Sequence, residues 1–243
     1  MKLIVCKDYA EMSAKAAELL AAQINEKPDC VLGLATGSTP EGMYAELVKM
    51  NKDGKVDFSK VTSVNLDEYY PITPDNDQSY RYFMNYHLFD KVNIDKNNTY
   101  VPDGQAEDTV AFGAAYDKHI EELGGVDLQI LGIGRNGHIG FNEPANSLIA
   151  GTHCTALMPD TINANARFFA SEADVPKHAM TMGIATILHS RKIVIMASGK
   201  SKHNALIEML KGDITTQCPA SILRNHSCAT LYLDADSSAL LAK

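Results

Sequence analysis

The sequence predicts an open, doubly wound and mostly parallel α/β sheet with helices on both faces. Two observations predict it. Short apolar, β-branched runs alternate with amphipathic helical patterns, and several runs, such as LQILGI and KIVIMA, are almost continuously apolar. Continuous apolar strands are typical of a sheet covered on both faces, and strand–helix alternation favours parallel pairing. Such a Rossmann-like sheet binds its ligands at the carboxyl ends of the strands.

Six segments have the composition of strands and four have the periodicity of helices. The predicted strands are Lys2–Cys6, Cys30–Ala35, Val61–Leu66, Val126–Ile133, Lys192–Ala197 and Ala229–Leu233. The predicted helices are Asp8–Ile24, Thr39–Met50, Glu107–Leu123 and Lys202–Lys211. Asp8 and Glu11 are predicted to cap the first helix and Thr39 the second, while glycine follows each of the last two.

These elements predict one domain over residues 1–243, since no linker-like, low-complexity or repeated segment divides the chain. The stretch from Asn146 to Lys177 has few clean periods and is long for a plain connection. We expect this stretch to be a lid or an insertion rather than a disordered loop.

Charge and cysteine usage exclude several classes of protein. The 22 basic and 30 acidic residues give a net charge of −8, and the lack of a basic block argues against binding to nucleic acid or to an anionic membrane. No signal peptide or membrane-spanning segment is recognisable. The five cysteines form an odd, scattered set without a C-x-x-C pair. This pattern indicates reduced thiols in a cytoplasmic protein rather than disulfides or a zinc site.

The first candidate site follows the second predicted strand, in the segment LATGSTPEG. Its small-residue turn consists of Thr36, Gly37, Ser38 and Thr39. Glycine lets the backbone approach a ligand, and the hydroxyls, free N–H groups and helix N-terminus favour an anion. The turn is neither a Walker loop nor a G-x-G-x-x-G motif. Taken alone, it is about as typical of an ordinary capped turn as of a phosphate cradle.

The second candidate is an acidic pair, Asp67 and Glu68, which follows the third predicted strand and precedes two tyrosines. A carboxylate walled by aromatic rings can have its pKa raised into the working range of a general base. Because adjacent side chains point in different directions, we expect one of the two to enter a site. Without further context, a solvated acidic loop is the more common structure. The sequence leaves open whether Glu68 reaches the site and what Tyr69 contributes.

The turn after the fourth predicted strand, GIGRNGHIGFNEP, is the most informative segment. It places His138 among four glycines, with Asn136 and Glu143 near enough in sequence to orient the ring. These are the parts of a base and its orienting partners. A lone histidine is usually structural, but the flanking glycines favour close approach of a ligand.

Two basic residues complete the candidates, Arg167 in NARFF and Lys202 in SGKSK. Each alone is typical of a solvated surface charge, but in an acidic chain that binds phosphate both are candidates for a clamp. No spacing typical of metal ligands occurs, so we expect no metal.

The segments LGLATGSTPEGMY, NLDEYY, GIGRNGHIGFNEP, NARFF and SGKSKHNAL together resemble the glucosamine-6-phosphate isomerase (glucosamine-6-phosphate deaminase) family in order and spacing. The resemblance implies an aldose–ketose isomerisation with deamination, in which D-glucosamine 6-phosphate and water give D-fructose 6-phosphate and ammonia, a step of amino sugar catabolism. It implies no metal or organic cofactor. His138, oriented by Glu143 and Asn136, would open the sugar ring, and Asp67 would move the proton from C2 to C1.

The same resemblance implies a substrate phosphate held by the small-residue turn and clamped by Arg167 and Lys202. The chain departs from the family pattern in two places. Some members have aspartate where this chain has Asn136, and an asparagine can orient the ring but cannot balance an imidazolium. Hexameric members activated by N-acetylglucosamine 6-phosphate have basic residues where this chain has His153 and Thr155. We therefore expect no allosteric activation, and a monomer or small homo-oligomer.

Two alternative functions share the fold. A 6-phosphogluconolactonase-like hydrolase would need the phosphate cradle and the histidine, but has little use for Asp67. A non-enzymatic sugar-phosphate sensor domain of a transcription regulator would carry a separate basic DNA-binding segment, and the sequence shows none. The residues favour deamination over both.

Overall fold

The computed structural model describes residues 1–169 and 171–241, and a parallel seven-stranded sheet forms its centre. In the described residues the strands are β1 (Lys2–Val5), β2 (Val31–Leu34), β3 (Thr62–Asn65), β4 (Asp67–Tyr70), β5 (Thr99–Tyr100), β6 (Leu128–Leu131), β7 (His153–Ala156), β8 (His178–Thr181), β9 (Lys192–Ala197) and β10 (Ala229–Leu233). The large sheet has the order β1-β10-β9-β6-β2-β3-β5. The predicted open, mostly parallel α/β sheet is confirmed, and all six predicted strands lie in it.

The helices surround this sheet in the order that the sequence predicts. They are α1 (Tyr9–Glu26), α2 (Glu41–Lys52), α3 (Tyr80–Met84), α4 (Thr109–Glu122), α5 (Pro159–Asn165), α6 (Ile184–Leu188), α7 (His203–Lys211) and α8 (Ala235–Ser238). The four predicted helices correspond to α1, α2, α4 and α7. Across residues 1–169 and 171–241, no helix combines the length and the apolar composition needed to cross a bilayer.

The predicted helix ends agree with the structure in part. The Asp8 carboxylate caps α1 by accepting from Glu11 N at 2.8 Å, while Glu11 accepts from Lys7 N at 2.6 Å, one residue earlier than a standard capping box. Helix α4 ends just before Gly124 and α7 just before Gly212, as the sequence predicts. Gly124 is left-handed (φ 84°), whereas Gly212 is extended.

The prediction that Thr39 caps α2 is wrong. This helix begins at Glu41, and no side chain of its own segment caps it. The hydroxyl of Tyr9, on α1, accepts a hydrogen bond from the Gly42 N–H at 2.9 Å and so caps the N-terminus of α2. A partner that is 33 residues away in sequence could not be identified from the local pattern.

A second, antiparallel sheet of three strands, β4-β8-β7, was not predicted from the sequence. Residues 67–70 are strand β4 rather than a solvated acidic loop, because β4 pairs with β8 in a register that places Asp67 opposite Thr181. Within the predicted lid, residues 153–156 form β7, which pairs with the other edge of β8. Ala170 of that lid, and Ala242 and Lys243 of the predicted domain, lie outside the described residues. The single domain and the lid stay predictions.

The strand order places a crevice above the middle of the large sheet. Strands β2 and β6 are neighbours, but from β2 the chain continues to β3 on one side, and from β6 it continues to β9 on the other. Ligands of open α/β sheets bind at such switch points, beyond the carboxyl ends of the strands. The segments after β2 and β6 carry the small-residue turn and His138, so the topology brings these two candidates together.

Gly113 in α4 provides a test of the packing between the helices and the second sheet. A Cβ atom at this position would lie 2.2 Å from the carbonyl oxygen of Thr152, a backbone atom that cannot rotate away. We expect Gly113→Ala to lower the free energy of unfolding by about 1–3 kcal/mol, measured by urea denaturation. Helix propensity alone predicts the opposite sign, a gain of about 1 kcal/mol.

The matched control is Ala114→Gly, at an exposed position of the same helix. It measures propensity without the packing contact, and we expect a loss of about 1 kcal/mol. A more stable Gly113→Ala protein would contradict the close approach of α4 to residue 152.

Candidate active site

A cleft of about 580 Å³ is lined by the segments that follow β2, β3, β6 and β9 and by residues 160–168. Eight of the ten predicted site residues line it: Thr36, Gly37, Ser38, Thr39, Asp67, His138, Arg167 and Lys202. The other two, Asn136 and Glu143, contact His138 from outside the cleft lining. The structure therefore brings all ten into one neighbourhood.

The small-residue turn at one end of the cleft is held in place by hydrogen bonds from two tyrosine hydroxyls. The Tyr9 hydroxyl donates to the carbonyl oxygens of Ser38 and Thr39, at 3.0 and 3.1 Å. The hydroxyl of the buried Tyr44 donates to the carbonyl of Ala35 at 2.6 Å. Because the carbonyls are occupied on the protein side, the turn is fixed in front of the N-terminus of α2, where N–H groups favour an anion.

Three cationic side chains line the same cleft. Arg167 Nη2 lies 3.5 Å from Ser38 Oγ, and Lys202 Nζ donates to the carbonyl of Ile133 at 2.6 Å. The third cation, Arg135, pairs with Asp160 at 3.0 Å. Burial, followed by the positive charges of Arg135 and Arg167, lowers the pKa of Lys202 to about 8. This concentration of positive charge is relieved when an anion binds.

His138 has two partners on its own turn. Its Nδ1 lies 3.1 Å from Glu143 Oε2, and its backbone N–H donates to the side-chain oxygen of Asn136 at 3.2 Å. The Asn136 amide in turn donates to the same Glu143 oxygen at 2.7 Å. Gly134 makes room for the ring, since a Cβ there would lie 2.4 Å from it. The turn thus fixes both the place and the tilt of the imidazole.

Glu143 is the buried centre of this network. Besides the contacts to His138 and Asn136, its Oε1 accepts from the Thr161 hydroxyl at 2.5 Å. Burial raises the pKa of Glu143, but the hydrogen bonds and the imidazole charge outweigh it, so the pKa is lowered. An ionised Glu143 accepts from His138 Nδ1–H, which leaves Nε2 as the nitrogen that can exchange a proton with a ligand.

Asp67 lies across the cleft and has a different environment. Asp67 is 7% exposed, and among the described residues none donates a hydrogen bond to its carboxylate. Burial, and then the charge of Glu68, raises the pKa of Asp67 to about 8. Tyr80 and Phe141, whose rings stack with centroids 6.0 Å apart, also line the cleft. Such a carboxyl group can take up and release a proton near neutral pH.

Glu68 points away from the cleft, so only one member of the acidic pair enters it. The buried Glu68 carboxylate accepts the backbone N–H groups of Tyr69, Tyr80 and Arg81, at 2.8–2.9 Å. Burial raises the pKa of Glu68 to about 7 against these bonds, which lower it. Glu68 therefore anchors α3 to β4. The ring of Tyr69 packs on Tyr80, with centroids 4.8 Å apart, and so supports the stacked rings of Tyr80 and Phe141 that line the cleft.

Sequence reasoning did not single out several residues of the site, among them Tyr9, Arg135, Asp160 and Thr161. Each acts through a partner that is distant in sequence, and none stands in a motif with a known spacing. Of these residues, Arg135 could have been identified from the sequence, because it lies within the glycine-rich turn that carries His138. In the described residues, no group of three His, Cys, Asp or Glu side chains could hold a metal ion.

Comparison with known proteins identifies close relatives. The profile of the family of glucosamine-6-phosphate isomerases and 6-phosphogluconolactonases matches residues 7–232. A glucosamine-6-phosphate deaminase of Clostridium perfringens (strain 13 / Type A) is 54% identical over 241 residues, 99% of this chain and 100% of the relative. The deaminase of Thermoanaerobacter sp. (strain X514) is 51% identical over 241 residues, 99% of this chain and 95% of the relative.

Two solved structures superpose on this chain over nearly its whole length. A monomeric glucosamine-6-phosphate deaminase superposes with a TM-score of 0.97 at 44% identity, covering 99% of this chain and 100% of that chain. A 6-phosphogluconolactonase from Trypanosoma cruzi superposes with a TM-score of 0.78 at 21% identity, covering 100% and 97%. The second likeness extends to the fold alone.

The unusual environment of Asp67 has a consequence for stability. Because its pKa is near 8 in the folded protein and 3.8 as the reference value, the folded state holds a proton that the unfolded state has lost between these pH values. The contribution of Asp67 to the free energy of unfolding therefore falls as the pH rises from 4 to 8. Asp67→Asn removes this titrating group. The free energy of unfolding of the variant, relative to that of the wild type, should therefore grow by about 1.4 kcal/mol for each pH unit over that range and then level off.

Urea denaturation at several pH values measures this difference. Asp75→Asn, at an exposed position, is the control and should track wild type throughout. A constant difference between Asp67→Asn and wild type from pH 4 to 9 would contradict the raised pKa.

Proposed function

Since the chain belongs to the family of glucosamine-6-phosphate isomerases and 6-phosphogluconolactonases, we propose that it is the deaminase, converting D-glucosamine 6-phosphate and water to D-fructose 6-phosphate and ammonia. The observation that carries this choice is the buried Asp67 carboxylate without a hydrogen-bond donor among the described residues. Proton transfer between two carbons needs a positioned general base whose pKa suits the task, whereas lactone hydrolysis needs no base at that place. Relatives at 51–54% identity that are named deaminases support it.

Ring opening is the first step. The substrate is a pyranose, so a proton must leave the anomeric hydroxyl and another must reach the ring oxygen. His138 moves this proton through Nε2, because Nδ1 is engaged with Glu143. Glu143 and Asn136 hold the ring in position, and the ionised Glu143 stabilises the imidazolium while the proton is in transit.

Isomerisation and deamination follow. Asp67 takes the proton from C2, the C2–H electron pair forms the C1=C2 double bond, and the C1 carbonyl oxygen takes up a proton from water, which gives an enolamine. The carboxylic acid then returns the proton to C1, which leaves a C2 imine that water hydrolyses to the ketose and ammonia. Because its pKa is raised to about 8, Asp67 can take up and release a proton close to neutral pH, as a general base requires.

Substrate phosphate lies at the other end of the cleft. The turn of Thr36, Gly37, Ser38 and Thr39 supplies hydroxyls and N–H groups, and Arg167 and Lys202 supply charge. This remote group adds binding energy that places C1 and C2 against Asp67. No metal or organic cofactor takes part in the steps proposed.

We also infer a cytoplasmic enzyme that acts as a monomer or small homo-oligomer on a small sugar phosphate, and not on nucleic acid or membranes. All five cysteines have free thiols, which supports a reducing compartment. A relative described as monomeric supports the small assembly.

In the predicted lid, Asn146–Lys177, the part that closes over substrate is residues 159–169, since residues 153–156 are paired in a sheet.

The assay is incubation of the purified protein with glucosamine 6-phosphate, following ammonia and fructose 6-phosphate together. We expect both products in equal amounts, and a loss of at least about a thousandfold in kcat for Asp67→Asn, since the base is removed. 6-Phosphogluconolactone is the matched alternative substrate. Hydrolysis of the lactone without ammonia production from the amino sugar would overturn the proposal in favour of the hydrolase.

The lowered pKa of Lys202 predicts how phosphate affinity depends on pH. Lys202 loses its charge as the pH rises through about 8, while inorganic phosphate gains rather than loses negative charge over the same range. Calorimetry with inorganic phosphate should therefore give about tenfold weaker binding at pH 9.5 than at pH 7. Lys202→Arg keeps its charge and should flatten this dependence.

Lys118→Arg, on the exposed face of α4, is the control and should behave as wild type. Equal phosphate affinity of the wild type at both pH values would show that Lys202 does not supply charge to this ligand.

A further inference from the structure

The buried hydroxyl of Thr161 contacts the hydrogen-bond network around His138 from a separate element, helix α5, which is not part of the His138 turn. Thr161 lies on α5 and is 3% exposed, and its Oγ1 donates to Glu143 Oε1 at 2.5 Å. The other oxygen of this carboxylate is occupied by Asn136 and His138. With both oxygens engaged, Glu143 cannot rotate without breaking a hydrogen bond to a charged acceptor, which is among the stronger kinds in proteins.

The direction of the Thr161 hydroxyl is set by the helix. A β-branched side chain has few rotamers in a helix, so the position of α5 decides where Oγ1 points. Residues beside Thr161 tie α5 to the cleft as well. Asp160 bonds Arg135 on the His138 turn, and Arg167, in the 3-10 turn that continues α5, lies 3.5 Å from Ser38 Oγ on the small-residue turn.

One short segment thus contacts both ends of the cleft. We propose that Thr161 is a positioning residue for His138: its hydroxyl fixes Glu143, Glu143 orients the imidazole, and ring opening therefore requires α5 to be docked. This inference rests on the proposed function and deepens it. It separates two duties of the segment, since Arg167 contributes to binding and Thr161 contributes to the proton transfer.

The test compares Thr161→Val, which keeps the shape and removes the hydroxyl, with Thr161→Ser, which keeps the hydroxyl. We expect kcat to fall about 10- to 100-fold in Thr161→Val and to recover within about threefold in Thr161→Ser. KM and the affinity for inorganic phosphate should change less than about twofold in both. Loss of kcat in both variants, or in neither, would overturn the proposal.

A double-mutant cycle distinguishes positioning from a general structural effect. If Thr161 acts through His138, Thr161→Val should cost nothing further in a His138→Asn background. The same fold loss in both backgrounds would overturn the proposal. Thr186→Val is the matched control, because the Thr186 hydroxyl donates to Asp117 at 2.9 Å, away from the cleft. It should leave kcat within about twofold of wild type.

A readout without turnover keeps this inference separate from the proposed function. The Nδ1–H proton of His138, hydrogen-bonded to Glu143, should give a downfield NMR signal in wild type and in Thr161→Ser. We expect the signal to shift upfield or broaden in Thr161→Val. An unchanged signal would overturn the positioning role, whereas a wild-type protein that shows the signal but forms no ammonia would overturn the proposed function alone. If Thr161→Val does not fold, Thr161→Ala is measured in its place.

Discussion

The burial of the Asp67 carboxylate is the constraint on which the rest of the site depends. A charged group that leaves water without a hydrogen-bond donor is costly, so the surrounding structure must hold it in place. The antiparallel pairing of β4 with β8 provides this, because it fixes Asp67 opposite Thr181. Glu68, the next residue, takes three backbone N–H groups and ties α3 to the same strand. Burial costs both carboxylates free energy in their ionised form, since the pKa of each is raised, and the pairing of β4 with β8 holds them in place despite this cost.

Positive charge is concentrated in the cleft. The cations Arg135, Arg167 and Lys202 line it together with Asp67 and His138, and Arg167 lies 3.5 Å from Ser38 Oγ on the small-residue turn. The net charge of −8 describes the surface as a whole, and a local excess of positive charge survives within it. A dianionic ligand is therefore attracted into the cleft, and contact of its anionic group with the small-residue turn orients the rest of the ligand.

Much of this arrangement could be predicted from the sequence, because parallel strands bring the turns at their carboxyl ends to one place. The small-residue turn and the His138 turn are short local motifs of that kind. The second sheet could not be predicted, since residues 67–70 have neither alternation nor a continuous apolar run, and their burial depends on β8, more than 100 residues later. The roles of Tyr9 and Thr161 depend on distant partners in the same way.

The order of strands in the large sheet also bears on how the chain reaches this structure. Strand β1 is synthesised first, yet its neighbour in the sheet is β10, which comes nearly 230 residues later. During translation β1 leaves the ribosome with its hydrogen-bonding edge open until β10 is made and inserts between it and β9. Closure of such long loops slows folding, so the crevice above β2 and β6 can form before this margin of the sheet is completed.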